Sequence, residues 1–142
     1  MRTAHRVTLL AFVLAFAIAP MARGTGDDKD LAKSPQAKAY AAMLKTVEAG
    51  DFEAYKKCHT KATAKGIDQQ TKEMKMDPKK TMEFMKDMAP KDLKMVSVKV
   101  DGKKATLQVT GKVGGEANKG TIALEEEDGQ WKVTTESWTN AK

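Results

Sequence analysis

The chain has 142 residues, of which 31% are charged and only 6% aromatic, and its formal net charge is +6. This length corresponds to one domain, with room for a short extension. A single cysteine excludes a disulfide framework within the chain. The 10 Gly and 4 Pro exclude a collagen-like or low-complexity protein. Composition therefore indicates one globular domain and points to no specific activity.

The first 24 residues have the pattern of a signal peptide. Two arginines and a histidine precede a stretch of 13 residues, 7–19, that is apolar except for Thr8. A membrane-spanning helix needs about 20 apolar residues, so this stretch is too short to serve as an anchor. The small residues Ala22 and Gly24 favour cleavage after Gly24. We expect an exported protein, periplasmic or extracellular, with no stable membrane anchor after cleavage.

Cleavage at that position would change the charge balance. All three arginines would be lost, leaving 22 lysines against 19 acidic residues. Because the arginine guanidinium is the best side chain for bidentate contacts to phosphate and guanine, we do not expect nucleic-acid binding. Cys58 would enter an oxidising compartment without a partner. We expect it to be buried, with a free thiol or an intermolecular bridge as the alternatives.

The polar residues 25–33 predict a flexible leader, and 34–142 a single domain. Ser34 followed by Pro35 is a helix-start signal, and Gly50 ends that helix. Asp51 is the cap of a second helix that Gly66 ends. We predict helical segments over 35–49, 52–65, 68–76 and 78–89.

The hydrophobic period then changes from about 3.6 residues to 2, which indicates strands. Asp101-Gly102 and Asp128-Gly129 predict tight hairpin turns, and 114–119 a longer loop. Such short connections allow only an antiparallel meander. The predicted fold class is α+β, with N-terminal helices packed on a four-stranded antiparallel meander sheet. The predicted strands are 93–100, 104–113, 120–127 and 130–138.

The second strand shows the alternation that assigns the two faces of the sheet. One of its faces is apolar and is expected to lie on the helices; it consists of Ala105, Leu107, Val109 and Val113. The opposite face is polar and is left for solvent or a partner, including a second copy of the chain in a homodimer.

This order of elements resembles the nuclear transport factor two-like superfamily, also called the ketosteroid isomerase-like or cystatin-like roll. It is most similar to small exported bacterial members without an assigned function. The Gly50-Asp51-Phe52 turn and the closing segment 126–133, Glu-Glu-Asp-Gly-Gln-Trp-Lys-Val, carry the resemblance. The resemblance implies a cone-like roll in which helices and a curved sheet enclose a pocket.

A pocket of this kind favours an exported, non-enzymatic domain that binds a small apolar ligand or a protein partner. The inward-facing residues predicted to line it are Tyr40, Phe52, Tyr55, Leu107, Val109, Ile122, Leu124 and Trp131.

The alternative is an isomerase- or dehydratase-like enzyme. Enzymes of the superfamily use an aspartate base with a tyrosine or a second acid, or an Asp–His pair. Here the inward strand positions are Val, Leu, Ile, Ala, Trp or Thr, so no catalytic residue is transferred and no cofactor is expected. The enzyme hypothesis would require Asp68, Asp92 or Glu136 to lie inside the cone.

A second alternative is a periplasmic Cu(I)-binding protein. Met82, Met85 and Met88 recur at helical spacing, thioethers bind soft metals, and His59 could add a nitrogen. The same spacing is typical of a buried helix face, where methionine fills irregular space. We favour the core interpretation.

The two tryptophans test the regularity of the last strand. Trp131 and Trp138 are an odd number of residues apart, so a regular strand places them on opposite faces. Trp131 is then a core residue. Trp138 emerges on the outer face, as a dimer or partner contact or beneath the leader, unless a bulge within 134–137 resets the alternation.

Overall fold

The chain builds its helices first and its sheet afterwards. The computed structural model describes residues 28–142 and confirms the predicted α+β class. The helices are α1 (Asp28–Leu31), α2 (Pro35–Ala49), α3 (Phe52–Lys57), α4 (Lys61–Glu73) and α5 (Pro78–Met88). The strands are β1 (Lys91–Asp101), β2 (Lys104–Val113), β3 (Glu116–Glu127) and β4 (Gln130–Asn140). They form one antiparallel sheet in the order β1-β2-β3-β4.

The predicted signal peptide, 1–24, lies outside the described residues. The described part of the predicted leader contains α1, and its Leu31 is buried. Backbone hydrogen bonds from Lys33 to Asp30 and from Ser34 to Leu31 continue this turn toward α2. This part of the leader is therefore a helical turn that contributes a leucine to the interior. None of the described helices combines the length and apolar character needed to cross a membrane.

The first two helices begin and end where the capping signals predict. The Ser34 side chain accepts a hydrogen bond from the backbone N–H of Ala37 at 3.1 Å. Gly50 ends α2 with a φ of +70°, a conformation that suits glycine. The Asp51 side chain then accepts from the N–H of Ala54 at 3.0 Å and starts α3.

The prediction that the second helix continues to Gly66 is wrong. Helix α3 ends at Lys57, because the chain beyond it pairs with β4: the N–H of Val133 donates to the carbonyl of Cys58, and the N–H of Thr60 to the carbonyl of Val133. Thr60 then caps α4, which passes through Gly66 and includes most of the segment predicted over 68–76.

Two of the three predicted turns between strands also differ from those in the structure. Asp128-Gly129 turns as predicted, with φ values of +53° and +74°. The predicted loop 114–119 is wrong, because Gly114-Gly115 alone makes the turn and β3 starts at Glu116. The first hairpin turns at Gly102-Lys103 and not at Asp101-Gly102, since Asp101 pairs with Lys104.

The core lies between α2 and one face of the sheet. The predicted inward face of β2 is confirmed for Ala105, Leu107 and Val109, which are all buried, while Val113 at its end is half-buried. The buried apolar residues that join them are Ala37, Tyr40, Met43, Val47, Phe52, Tyr55, Met82, Ile122, Leu124 and Val133.

Candidate functional site

A bulge in the last strand changes which of its side chains face the core. Thr135 pairs with Ala123 and Val133 with Leu124, so Thr134 is an extra residue. Beyond it, Glu136 lies opposite Ile122, and Trp138 opposite Gly120. Residues paired across a sheet share a face, so Glu136 and Trp138 lie on the core side.

The expectation that Trp138 emerges on the outer face is therefore wrong, and the bulge is the correct account. Trp138 is half-buried and packs against the core. The prediction of a dimer or partner contact at Trp138 depended on an outer-face position, so the structure gives no support for it.

The Trp138 ring occupies space that a side chain at position 120 would need. A Cβ atom on Gly120 would lie 2.9 Å from two atoms of the ring and 2.7 Å from Val109 Cγ2. Real Cβ atoms essentially never come this close to other heavy atoms. Glycine at this position is what allows the indole to lie flat against β3.

Glu136 accepts two hydrogen bonds from aromatic side chains. The Tyr40 hydroxyl donates to Glu136 Oε1 at 2.7 Å, and the Trp138 indole N–H donates to the same oxygen at 2.6 Å. We call Tyr40, Glu136 and Trp138 the carboxylate network. Tyr40 is fully buried, whereas the other two are half-buried and reach solvent. In residues 28–142, Glu136 forms no salt bridge, so both of its protein partners are neutral.

The two tyrosines beside Glu136 remain protonated. Burial, followed by the negative charge of Glu136, raises the pKa of Tyr40 and of Tyr55 above its ordinary value. The hydroxyl of Tyr40 donates to Glu136, but that of Tyr55 has no hydrogen-bond partner within the described chain. Glu136 Oε2 likewise accepts no hydrogen bond from these residues. Glu136 Oε2 is thus an acceptor of the network that remains available.

Of the three carboxylates considered in the sequence, Glu136 alone lies on the core side. Asp68 pairs with Lys56 at 3.0 Å and Asp92 with Lys112 at 3.0 Å, both at the surface. Sequence reasoning named Glu136 as one of three candidate carboxylates, but it assigned only apolar residues and threonine to inward strand positions and so did not place Glu136 there. The bulge, which was considered only for Trp138, was the one signal that could have placed it.

The residues predicted to line an apolar pocket fill the interior instead. Seven of the eight are buried in the core, and Trp131 is half-buried against it. They therefore pack as core residues. Two surface depressions of the described chain lie elsewhere. One depression is lined by Glu116, Ala117, Asn140, Ala141 and Lys142, and the other by Glu48, Lys86, Asp87, Ala89, Pro90 and Lys91.

The methionine stripe extends from the core to the surface. Met82 is buried, Met85 packs against the core, and Met88 is 39% exposed, as is Phe84 at 48%. The three sulfurs therefore do not share one environment. Within 28–142, no group of three or more His, Cys, Asp or Glu side chains could hold a metal ion.

His59 is buried at the point where the chain joins β4. Its Nδ1 lies 2.8 Å from the carbonyl oxygen of Tyr55, and the two rings meet edge to face with centroids 4.5 Å apart. Burial lowers the pKa of His59. Cys58 beside it is a half-buried free thiol, and burial raises its pKa. These contacts make His59 part of the packing between α3 and β4.

Comparison with solved structures finds an NTF-2 like protein of unknown function from Shewanella oneidensis MR-1. The two chains are 13% identical, and the TM-score is 0.47. The alignment covers 75% of this chain and 97% of the other. A scan against protein-family models and a search of curated proteins found no match.

Proposed function

We propose that this protein is an exported binding domain that takes a small polar ligand at the carboxylate network. The observation that carries the proposal is the position of Glu136. It is a carboxylate on the core side of the sheet, with neutral hydrogen-bond donors and no cationic partner in the described chain. The signal-peptide pattern of the first 24 residues supports export.

Glu136 has a structural role as the acceptor for the Tyr40 hydroxyl and the Trp138 indole, but that role uses only one of its two oxygens. Glu136 is half-buried, and a bulge is needed to turn its side chain toward the core side. Glutamine could accept the same two hydrogen bonds through its amide oxygen without a net charge. Departures from local sequence rules of this kind concentrate at functional sites.

The groups that remain available define what the ligand must offer. Glu136 Oε2 accepts hydrogen bonds, so the ligand needs an N–H or O–H donor or a positive charge. Since the interior is filled, the ligand would approach from the exposed side of Glu136 and Trp138. This proposal replaces an apolar ligand held deep inside the roll.

Native mass spectrometry of protein purified from its own host tests the proposal. We expect a non-covalent adduct on the wild type that is absent from Glu136→Gln, which keeps the shape of the side chain and removes its charge. Glu83→Gln, at an exposed position on α5, is the matched control and should keep the adduct. Circular dichroism verifies that the variants are folded. An adduct of equal abundance on Glu136→Gln would contradict the proposed site.

A further inference from the structure

We infer that the outer face of the sheet binds an acidic polysaccharide through its lysines. This face is the side opposite the core and Glu136, so the inference does not depend on the proposed function. Residues paired across a sheet share a face, and the pairing gives four successive rows on the outer side. We call these four rows the lysine face. They are Lys91-Lys112-Ala117, Lys94-Thr110-Lys119-Thr139, Ser97-Gln108-Thr121-Ser137 and Lys99-Thr106-Ala123-Thr135.

The lysine face carries an excess of positive charge. Among its paired positions, all of which belong to the described residues, five are lysines and none is acidic. All five lysines are exposed. The neighbouring Asp92 pairs with Lys112 at 3.0 Å, and this pair is open to solvent. The next row of the outer side is balanced instead, because acids and lysines alternate in it: Asp101, Lys104, Glu125 and Lys132. A partner of the lysine face must therefore be anionic.

Lys94 and Lys119 are the lysines of this face that a polymer can bridge. They lie in one row on either side of Thr110, so their strands are about 10 Å apart, which is two strand spacings. Within residues 28–142, neither of them forms a salt bridge. Separated ammonium groups suit a polymer with repeated negative charges, because each contact strengthens the binding of the same molecule.

The side chains between the lysines favour a polysaccharide over a protein or a membrane. Apart from Ala117 and Ala123, the neutral residues of the lysine face are threonines, serines and a glutamine. Hydroxyl and amide groups donate and accept hydrogen bonds, as the hydroxyl groups of a sugar do. Protein interfaces are instead enriched in aromatic residues and arginine, and binding at a membrane surface buries larger apolar side chains. The paired positions of the lysine face offer none of these.

A second copy of the chain is disfavoured as the occupant. Two lysine faces brought together would repel each other. The balanced row offers no excess of negative charge that could offset the lysines of a second copy.

Three polymers separate charge from sugar recognition. Polygalacturonate oligosaccharides carry a carboxylate on each sugar, maltooligosaccharides of equal length carry none, and poly-L-glutamate carries carboxylates without sugar hydroxyls. By isothermal titration at low salt, we expect polygalacturonate to bind at least about threefold more tightly than polyglutamate, since hydroxyl groups add hydrogen bonds. The neutral oligosaccharide should not bind. The affinity for polygalacturonate should fall as salt is added, because exposed charges are screened.

A pair of double variants locates the binding face. Lys94→Gln combined with Lys119→Gln should weaken polygalacturonate binding by about tenfold. Lys65→Gln combined with Lys79→Gln removes the same charge from exposed positions of α4 and α5, and it should retain most of the affinity. Circular dichroism verifies that both variants are folded.

The other outcomes would overturn the inference, each in a different way. Equal losses in the two double variants would mean that net charge alone attracts the polymer. Equal affinity for polyglutamate would identify an acidic protein segment as the partner. Binding to vesicles of phosphatidylglycerol and phosphatidylcholine, without binding to polygalacturonate, would identify a membrane surface. No binding of polygalacturonate to the wild-type protein would also refute the inference, and it would leave the proposal for Glu136 unaffected.

Discussion

The layer formed by α2 and the sheet differs from α4 in how each is held. Tyr40 and Met43 of α2, and Leu107 and Ile122 of the sheet, are at most 1% exposed. Helix α4 is 13 residues long, yet none of its residues is buried. The first region is stabilised by burial of apolar surface, which is the larger contribution in folded proteins. The second has less apolar contact with the core, through the half-buried Ile67, and also depends on polar contacts.

Polar contacts near its N-terminal half attach α4 to the rest of the molecule. The Thr63 hydroxyl donates to the carbonyl of Thr134 in β4 at 3.3 Å. Lys61 donates its backbone N–H to Glu127 and pairs its side chain with Asp128. Exposed ion pairs of this type contribute about 0–1 kcal/mol each. The comparison therefore predicts that the α2–sheet layer sets the global stability and that α4 contributes little to it.

The largest expected effect comes from making the same truncation in both regions. Leu107 is fully buried between Val98 and Ile122, so Leu107→Ala should cost about 2–5 kcal/mol of the free energy of unfolding. Ile67 of α4 is half-buried, so Ile67→Ala should cost about 1 kcal/mol or less. Urea denaturation followed by circular dichroism measures both values. Similar losses at the two positions would show that α4 belongs to the core.

A glycine in each region gives a second test, in which the two effects have opposite signs. Gly120→Ala places a Cβ against Val109 and Trp138 and should destabilise the protein by about 1–3 kcal/mol. Gly66 lies in α4 with open space around it, so Gly66→Ala should stabilise by about 0.5–1 kcal/mol through helix propensity. Thermal unfolding of the two variants measures these shifts. A neutral Gly120→Ala would mean that the indole can move away from β3.

The features that sequence predicted correctly are local ones. The change of hydrophobic period identified helices and strands, and short polar residues such as Ser34 and Asp51 marked helix starts that the structure confirms. Asp128-Gly129 was recognised because two successive positive φ values suit that pair. Each of these signals depends on residues close together in the chain.

The features that were missed depend on distant pairing. The helix break at 58–60 exists because Val133, far along the chain, takes both backbone hydrogen bonds there. The residues around Thr134 likewise give no local sequence signal of the bulge. Because the bulge adds one residue, every later side chain of β4 moves to the other face of the sheet. The carboxylate network follows from that shift, so sequence alternation alone could not place Glu136 on the core side of the sheet.

The smallest expected effect concerns the junction between α3 and β4. Burial lowers the pKa of His59 in the folded protein. The unfolded chain therefore takes up a proton below about pH 6.5 that the folded chain does not. Stability contributed by the neutral imidazole is fully present above this pH and is lost as pH falls toward the folded-state pKa.

His59→Asn isolates this contribution, because asparagine can keep the hydrogen bond to the Tyr55 carbonyl and does not titrate. Between pH 7.5 and 5.5, the wild type should lose up to about 1 kcal/mol more stability than the variant, since a single proton limits the slope to about 1.4 kcal/mol per pH unit. Urea denaturation at each pH measures the difference, in which all other titrating groups cancel. If the stabilities of the wild type and the variant fall in parallel with pH, His59 takes up its proton in the folded state. The α3–β4 junction would then be as open to protons as the exposed surface of α4.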